Sequence, residues 1–262
     1  EGFFDMFDVV IQLGAILAVV VLFWNKIWPF YLRKNKQPKK GGIVKSAKDP
    51  AVGNVALSMD AFWMWVKIVV ACIPAVVYGL LFDDAVSEAF KKEIGTSGVT
   101  VQVIVVAVML VLVGVLFIVI ENWNKNRVPT TTTLSQLTYR DALIIGFCQL
   151  VAAALPGTSR SGATILGAIM IGISRTVAAE FTFFLAIPVM FGASLLKVLK
   201  FGFAFTGMDL ACLLVGTVIS FIVSLFVLRF LMGYIKKHDF KAFGWYRIVL
   251  GIIVLLYFLV FA

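Results

Sequence analysis

The stretch Pro156-Gly157-Thr158-Ser159-Arg160-Ser161-Gly162 breaks an otherwise apolar segment, Asp141–Ile173, near its middle. The flanking pieces, Ala142–Leu155 and Gly162–Ile173, have about 14 and 12 residues and as helices rise roughly 21 and 18 Å. Neither alone crosses the ~30 Å of hydrocarbon in a bilayer. A re-entrant helix–turn–helix hairpin fits this pattern, with the polar turn at membrane depth and buried in protein.

Outward from this hairpin, full spans are expected near Phe4–Trp24, Phe62–Phe82, Val101–Ile120, Thr176–Leu199, Leu210–Leu231 and Phe243–Phe261. Each is close to the ~20 residues a helix needs to cross. Pro74 and Pro188 fall inside two of them, which is tolerated where neighbours satisfy the freed carbonyl. Hydrophobic residues make up 61% of the chain and charged residues 14%, against about a quarter charged in soluble domains. The expected fold is therefore an all-α integral membrane protein, a polytopic helical bundle. The net charge of +9 sits in loops, where it sets topology and meets anionic lipid headgroups. No soluble domain exists to carry a basic face, which argues against a nucleic-acid partner. Cys72, Cys148 and Cys212 lie in apolar segments without metal-ligand spacing and read as packing residues.

Loop charge fixes the orientation. Asn25–Met59 carries Lys26, Arg33, Lys34, Lys36, Lys39, Lys40, Lys45 and Lys48 against Asp49, and is expected inside. Asp83, Asp84, Glu88 and Glu93 outnumber Lys91 and Lys92 in the next loop, which suits the outside. Lys125, Arg127 and Arg140 return to the inside, as do Arg175 and, later, Lys236, Lys237 and Lys241. Two full spans in place of the hairpin would give the same parity, so segment length rather than charge favours the hairpin. Under this assignment residues 1–140 form one half with three spans, and residues 141–262 form a second half, the hairpin 141–173 followed by three spans. Phe7-Asp8-Val9 and Ala179-Glu180-Phe181 open corresponding spans of opposite direction. Opposite direction marks an inverted-topology repeat with its site at the midplane. The first half's hairpin partner is expected upstream of Glu1.

In the turn, Gly157 and Gly162 permit tight backbone and close approach of a ligand. Thr158 or Ser159 can cap the following helix, whose N-terminus offers unpaired amides and a positive dipole end suited to phosphate. Arg160 adds a planar fork of donors. An arginine at membrane depth costs roughly 2.5–3.5 kcal/mol on insertion scales. No acid lies within a helical turn of it in sequence, so a bound anion is its natural partner. The alternative is a structural ion pair with Glu180 or Asp8. Taken singly, Ser159, Ser161 and Thr164 could instead bond back to the i−4 carbonyl. Arg175 closes the hairpin and also serves simply as an inside cation. Arg247, beside Trp245 and Tyr246, reads as an interfacial anchor, and Lys67, Lys197 and Lys200 as snorkelling residues near span ends. His238 is the one histidine, so a two-histidine phosphatase does not fit. No Cys followed by five residues and Arg occurs, and no Ser–His or Ser–Lys dyad is in view.

The string PGTSRSGATI at Pro156–Ile165 resembles the signature of the bacterial undecaprenyl-diphosphatase family, also known for bacitracin resistance. Tyr139-Arg140-Asp141-Ala142, Gly172-Ile173-Ser174-Arg175, Ala179–Pro188 and Phe7–Gly14 extend the resemblance over nearly the whole chain. It implies hydrolysis of undecaprenyl diphosphate to undecaprenyl phosphate and phosphate in the bacterial inner (plasma) membrane, regenerating a carrier for cell-wall precursors. The implied catalytic residues are Arg160, Ser159 and Ser161. Gly157, Thr158, Gly162, Thr164 and Arg175 would bind substrate. The family's Glu-x-x-x-Glu and Pro-Val-Ser-Ser-Thr-Gly-His elements are not in these residues. The resemblance therefore places the acids, one candidate nucleophile and the ligands of a divalent cation (magnesium or calcium) upstream, with no metal ligand in this chain and no organic cofactor. Polyprenyl diphosphate and membrane lipids are the expected partners, and a homodimer is compatible with the sequence. A transporter or flippase for a polyprenyl phosphate is the competing reading, since inverted repeats and broken helices recur in transporters.

The orientation has a direct test. Lys39→Cys should react with impermeant thiol reagent only after the cells are opened, and Ala262→Cys in intact cells. External labelling at position 39 would reverse the assignment.

Overall fold

Runs of Val, Ile, Leu and Phe without breakers leave helix as the conformation that pairs every backbone group inside its own segment. The computed structural model describes residues 2–32, 51–52, 55–81, 98–201 and 207–261. The helices are α1 (Gly2–Val10), α2 (Gln12–Leu22), α3 (Trp24–Ile27), α4 (Met59–Leu81), α5 (Gly98–Asn124), α6 (Tyr139–Ala154), α7 (Arg160–Met170), α8 (Arg175–Phe201), α9 (Gly207–Ile235) and α10 (Lys241–Phe261). Among the described residues five helices are long and apolar enough to cross a membrane, within α4, α5, α8, α9 and α10. The protein is thus an all-α membrane protein at the level of its elements. α4 and α8 run through Pro74 and Pro188. The stretches 33–50 and 82–97, which hold most of the charges that orient the chain, lie outside the described residues.

The first expected span, Phe4–Trp24, is interrupted at Ile11 between α1 and α2. Ile11 keeps helical angles, φ −61° and ψ −25°. The side-chain amide of Gln12 donates to the Asp8 carbonyl at 3.1 Å, beside the break. A small antiparallel sheet was not foreseen. Phe30–Leu32 (β1), Ala51–Val52 (β2) and Val55–Leu57 (β3) pair in the order β1-β3-β2, with Tyr31 opposite Ala56. Two or three residues per strand are too few to show an alternation.

The chain divides into two compact units. One comprises Glu1–Val66 and Phe183–Tyr234. In it the Ser194 hydroxyl donates to the Val9 carbonyl at 3.1 Å, and Phe23 meets Phe184 edge-on at 5.3 Å. The Trp65 indole donates to the Ile27 carbonyl at 2.9 Å, and Trp24 stacks on Trp28. On α9, Leu214, Val218, Ile222, Phe226 and Phe230 are exposed, as suits a surface facing lipid.

The other unit comprises Lys67–Thr182 and Ile235–Ala262. Its α5 and α10 pack backbone to backbone. A Cβ on Gly114 would come within 2.7 Å of the Gly244 carbonyl, and one on Gly244 equally close to the Gly114 carbonyl. Small residues at such crossings let membrane helices approach closely. Thr138 caps α6 through a reciprocal pair: its Oγ1 accepts from Asp141 N at 3.1 Å, and Asp141 Oδ2 accepts from Thr138 N at 2.9 Å. α6 and α7 form a hairpin in which Cys148 faces Gly167 across the helices. After α7, Gly172 turns the chain at φ +91° and its carbonyl accepts from Thr130 N at 2.9 Å. Lys67 does not snorkel: it is buried, and its Nζ donates to the Ser135 carbonyl at 3.3 Å.

A carboxylate knots this unit. The side chain of Glu121, at the end of α5, is fully buried. It accepts from Nε and Nη2 of Arg175 and, at 3.1 Å, from the Phe240 backbone amide. Three separate chain segments meet on it. Removing Arg175 leaves the Glu121 carboxylate buried without its guanidinium, whereas removing the acid leaves a guanidinium that is partly exposed and can be hydrated. Arg175→Ala should therefore lower the melting temperature in detergent more than Glu121→Gln, and the double variant should recover much of that loss. Equal melting temperatures for all three and the parent would show that the pair contributes nothing.

Candidate active site

The hairpin turn is shaped by groups that replace the missing helical bonds. Gly157 stands at φ +85°, a conformation open to glycine and costly to residues with a Cβ. A Cβ there would also come within 2.8 Å of the Val106 carbonyl, so the turn lies directly on α5. The Thr158 amide donates to the Leu155 carbonyl at 3.2 Å. Ser159 is the N-cap of α7, with extended φ −65° and ψ 124°, and its Oγ accepts from Gly162 N at 3.2 Å. The Ser159 carbonyl accepts from Ala163 N at 2.9 Å. Among the described residues these bonds leave the amides of Arg160 and Ser161 as the unspent donors of the first turn.

Arg160 is the first residue of α7 and is half-buried. Among the described residues no carboxylate is bonded to its guanidinium. Ser161 is exposed, and its Oγ lies 3.1 Å from that of Ser159. Thr158 Oγ1 is buried without a bonded partner. Gly162 is buried against the Phe117 ring, with room for a Cβ only 3.2 Å from that ring.

Two of the expected residues have other roles in the geometry. Thr164 is fully buried. Its Oγ1 donates to the carbonyls of Arg160 and Ser161 at 3.0 and 3.1 Å and accepts from Thr182 Oγ1 at 3.1 Å. It straps the first turn of α7 from beneath. Arg175 lies beyond the far end of α7, about 16 Å of helix from Arg160, and its Nε and Nη2 are held by Glu121. The structure therefore gathers Gly157, Thr158, Ser159, Arg160, Ser161 and Gly162, with Thr164 behind them, and leaves Arg175 apart.

A second arginine joins the turn. Arg247, from α10, donates through Nη2 to the Gly157 carbonyl at 3.0 Å, and its Nε is buried without a bonded partner. It reaches into the hairpin. An arginine inside an apolar span was the available signal, the same one that singled out Arg160.

Chemically, the turn offers a guanidinium, two backbone amides at a positive helix end and three hydroxyls. That set suits phosphoryl oxygens and the charge that builds on them during transfer. It contains no imidazole or carboxylate to act as a base. Among the described residues no three His, Cys, Asp or Glu side chains converge.

Comparison with known proteins gives a consistent result. The family model described as "Bacitracin resistance protein BacA" matches residues 1–253. The chain is 56% identical over 257 residues to undecaprenyl-diphosphatase of Desulfitobacterium hafniense, covering 98% of this chain and 82% of that protein. It is 54% identical over 256 residues to undecaprenyl-diphosphatase of Enterococcus faecalis, covering 98% and 83%. The enzyme of the same name from Acetivibrio thermocellus is 52% identical over 259 residues, covering 99% and 84%. With a helix hairpin built around PGTSRSG and a match over nearly its whole length, the chain belongs to the bacitracin resistance protein BacA family.

Proposed function

We propose that this protein hydrolyses undecaprenyl diphosphate in the bacterial plasma membrane, giving undecaprenyl phosphate and inorganic phosphate. The observation that carries the reading is Arg160: a guanidinium at the start of α7, inside an apolar hairpin, with no carboxylate bonded to it among the described residues. The names of the relatives support the same substrate.

In this reading the terminal phosphoryl group sits at the N-terminus of α7. Arg160 and the amides of Arg160 and Ser161 face its non-bridging oxygens, and Ser159 and Ser161 donate hydrogen bonds. Oxygen from water ends on the terminal phosphorus, the bond from that phosphorus to the bridging oxygen breaks, and undecaprenyl phosphate leaves with the bridging oxygen. Charge spreads over the equatorial oxygens as this happens, where fixed donors lower the barrier most. Thr164 acts on this arrangement through the backbone of the turn. The inverted repeat of halves 1–140 and 141–262 belongs to the same proposal, as does the re-entrant path of the hairpin. The lengths of α6 and α7, 16 and 11 residues, support the re-entrant path, since both fall short of a crossing.

Arg160→Ala should lose most phosphate release while the protein still folds and inserts. A charge-assisted hydrogen bond is worth roughly 1.5–3 kcal/mol, so about tenfold to a hundredfold is the floor. Arg160→Lys should recover part of the loss, because an ammonium cannot make the bidentate contact. The assay is phosphate release from undecaprenyl diphosphate by purified protein, with melting temperature measured alongside. A well-folded Arg160→Ala protein with full activity would sink the reading, and lipid translocation without phosphate release would replace it with transport. Thr164→Val removes the strap beneath the turn. It should lower the melting temperature and kcat together, and a rise in KM alone would instead make Thr164 a direct substrate contact.

A further inference from the structure

We propose that Arg247 is a positioning residue for this reaction, acting through the Gly157 carbonyl to fix the peptide plane from which the phosphate-binding turn begins. The inference rests on the hydrolase reading above and deepens it.

The planar peptide between Gly157 and Thr158 carries both a carbonyl and an amide. Its amide is bound by the Leu155 carbonyl at 3.2 Å and its oxygen by Arg247 Nη2 at 3.0 Å. With both ends held, the plane cannot rotate. The Gly157 Cα is pressed against α5 so closely that a Cβ would meet Val106, so it cannot retreat either. The chain leaving this plane reaches the Ser159 cap and then Arg160, two and three residues on. At positive φ, Gly157 has access to more conformers than any other residue type, so this is where the turn would loosen. A helical carbonyl would find its partner in its own segment. This one is served by a residue 90 positions away. The cost of bringing it there is visible: the Arg247 Nε is buried with no bonded partner among the described residues, an arrangement unfavourable for stability by itself.

The test uses full-length protein in detergent and a short-chain polyprenyl diphosphate. The variants are Arg247→Met, Arg247→Lys, Arg160→Lys and the double variant Arg160→Lys/Arg247→Met, all assayed where circular dichroism shows them folded. If Arg247 sets the turn, Arg247→Met lowers kcat about tenfold to a hundredfold while KM changes less than about threefold. Arg247→Lys, which keeps a donor, recovers part of the loss. In the double variant the second substitution costs far less than it does alone, because both act on one geometry. Wild-type kcat in Arg247→Met overturns the proposal. So do losses that multiply in the double variant, or a rise in KM in place of the fall in kcat, either of which would put Arg247 on the substrate itself. Absence of phosphate release from the parent protein would overturn the hydrolase reading instead, which keeps the two failures apart.

Discussion

A helix that stops inside hydrocarbon leaves carbonyls and amides that water cannot reach, and each must find a partner within the protein. On the re-entrant path proposed above, the break at Leu155–Arg160 poses that problem, and much of its surroundings can be understood as the answer. Leu155 O takes the Thr158 amide, Ser159 takes the Gly162 amide, and Arg247 takes the Gly157 carbonyl. The turn lies against α5 because Gly157 has no side chain to hold it away. What these bonds leave over among the described residues, the first amides of α7 and the Arg160 guanidinium, is what would receive an anion in the proposed function. Structural satisfaction and the binding chemistry are thus two parts of one arrangement.

Arginine is used in three ways within this one unit. Arg175 is neutralised by a buried carboxylate and joins α8 to α5 and to the segment before α10. Arg247 spends a donor on a backbone oxygen. Arg160 is bonded to no carboxylate among the described residues. The side chain is the same; the partner decides whether it holds the fold, holds the turn or stays available for the ligand proposed above. A lone guanidinium beside a helix N-terminus keeps its field available.

The helices and the hairpin were legible because their signals are local: apolar length, the PGTSRSG interruption, and the Ser159 cap ahead of Gly162. Arg160 was legible because an arginine is costly where it sits. Arg247 carries the same signal, but Trp245 and Tyr246 beside it pointed to an interfacial anchor, and its partner lies 90 residues away. Glu121 fell one residue past the span expected at Val101–Ile120, and nothing local ties it to Arg175 or Phe240. Thr164 and Arg175 belong to conspicuous motifs, yet their contacts are with the protein: a hydroxyl strap for one, a carboxylate for the other. The three short strands are set by pairing between Phe30–Leu32 and Val55–Leu57, a long-range match that a charge-rich stretch disguises.

The Glu121 knot also bears on biogenesis. Its ligands are 54 and 119 residues further along the chain. At ~5–20 residues per second of synthesis, roughly 6–24 seconds separate the emergence of Glu121 from that of Phe240. Throughout that interval the nascent chain carries an acid whose native partners do not all exist. A ribosome that stops before Arg175 would release a chain with this carboxylate lacking its guanidinium, a recognisable lesion for membrane quality control. The segment just before α10 does more than connect two helices: the arrival of the Phe240 amide completes the coordination of the Glu121 carboxylate, some 119 residues after that acid was made.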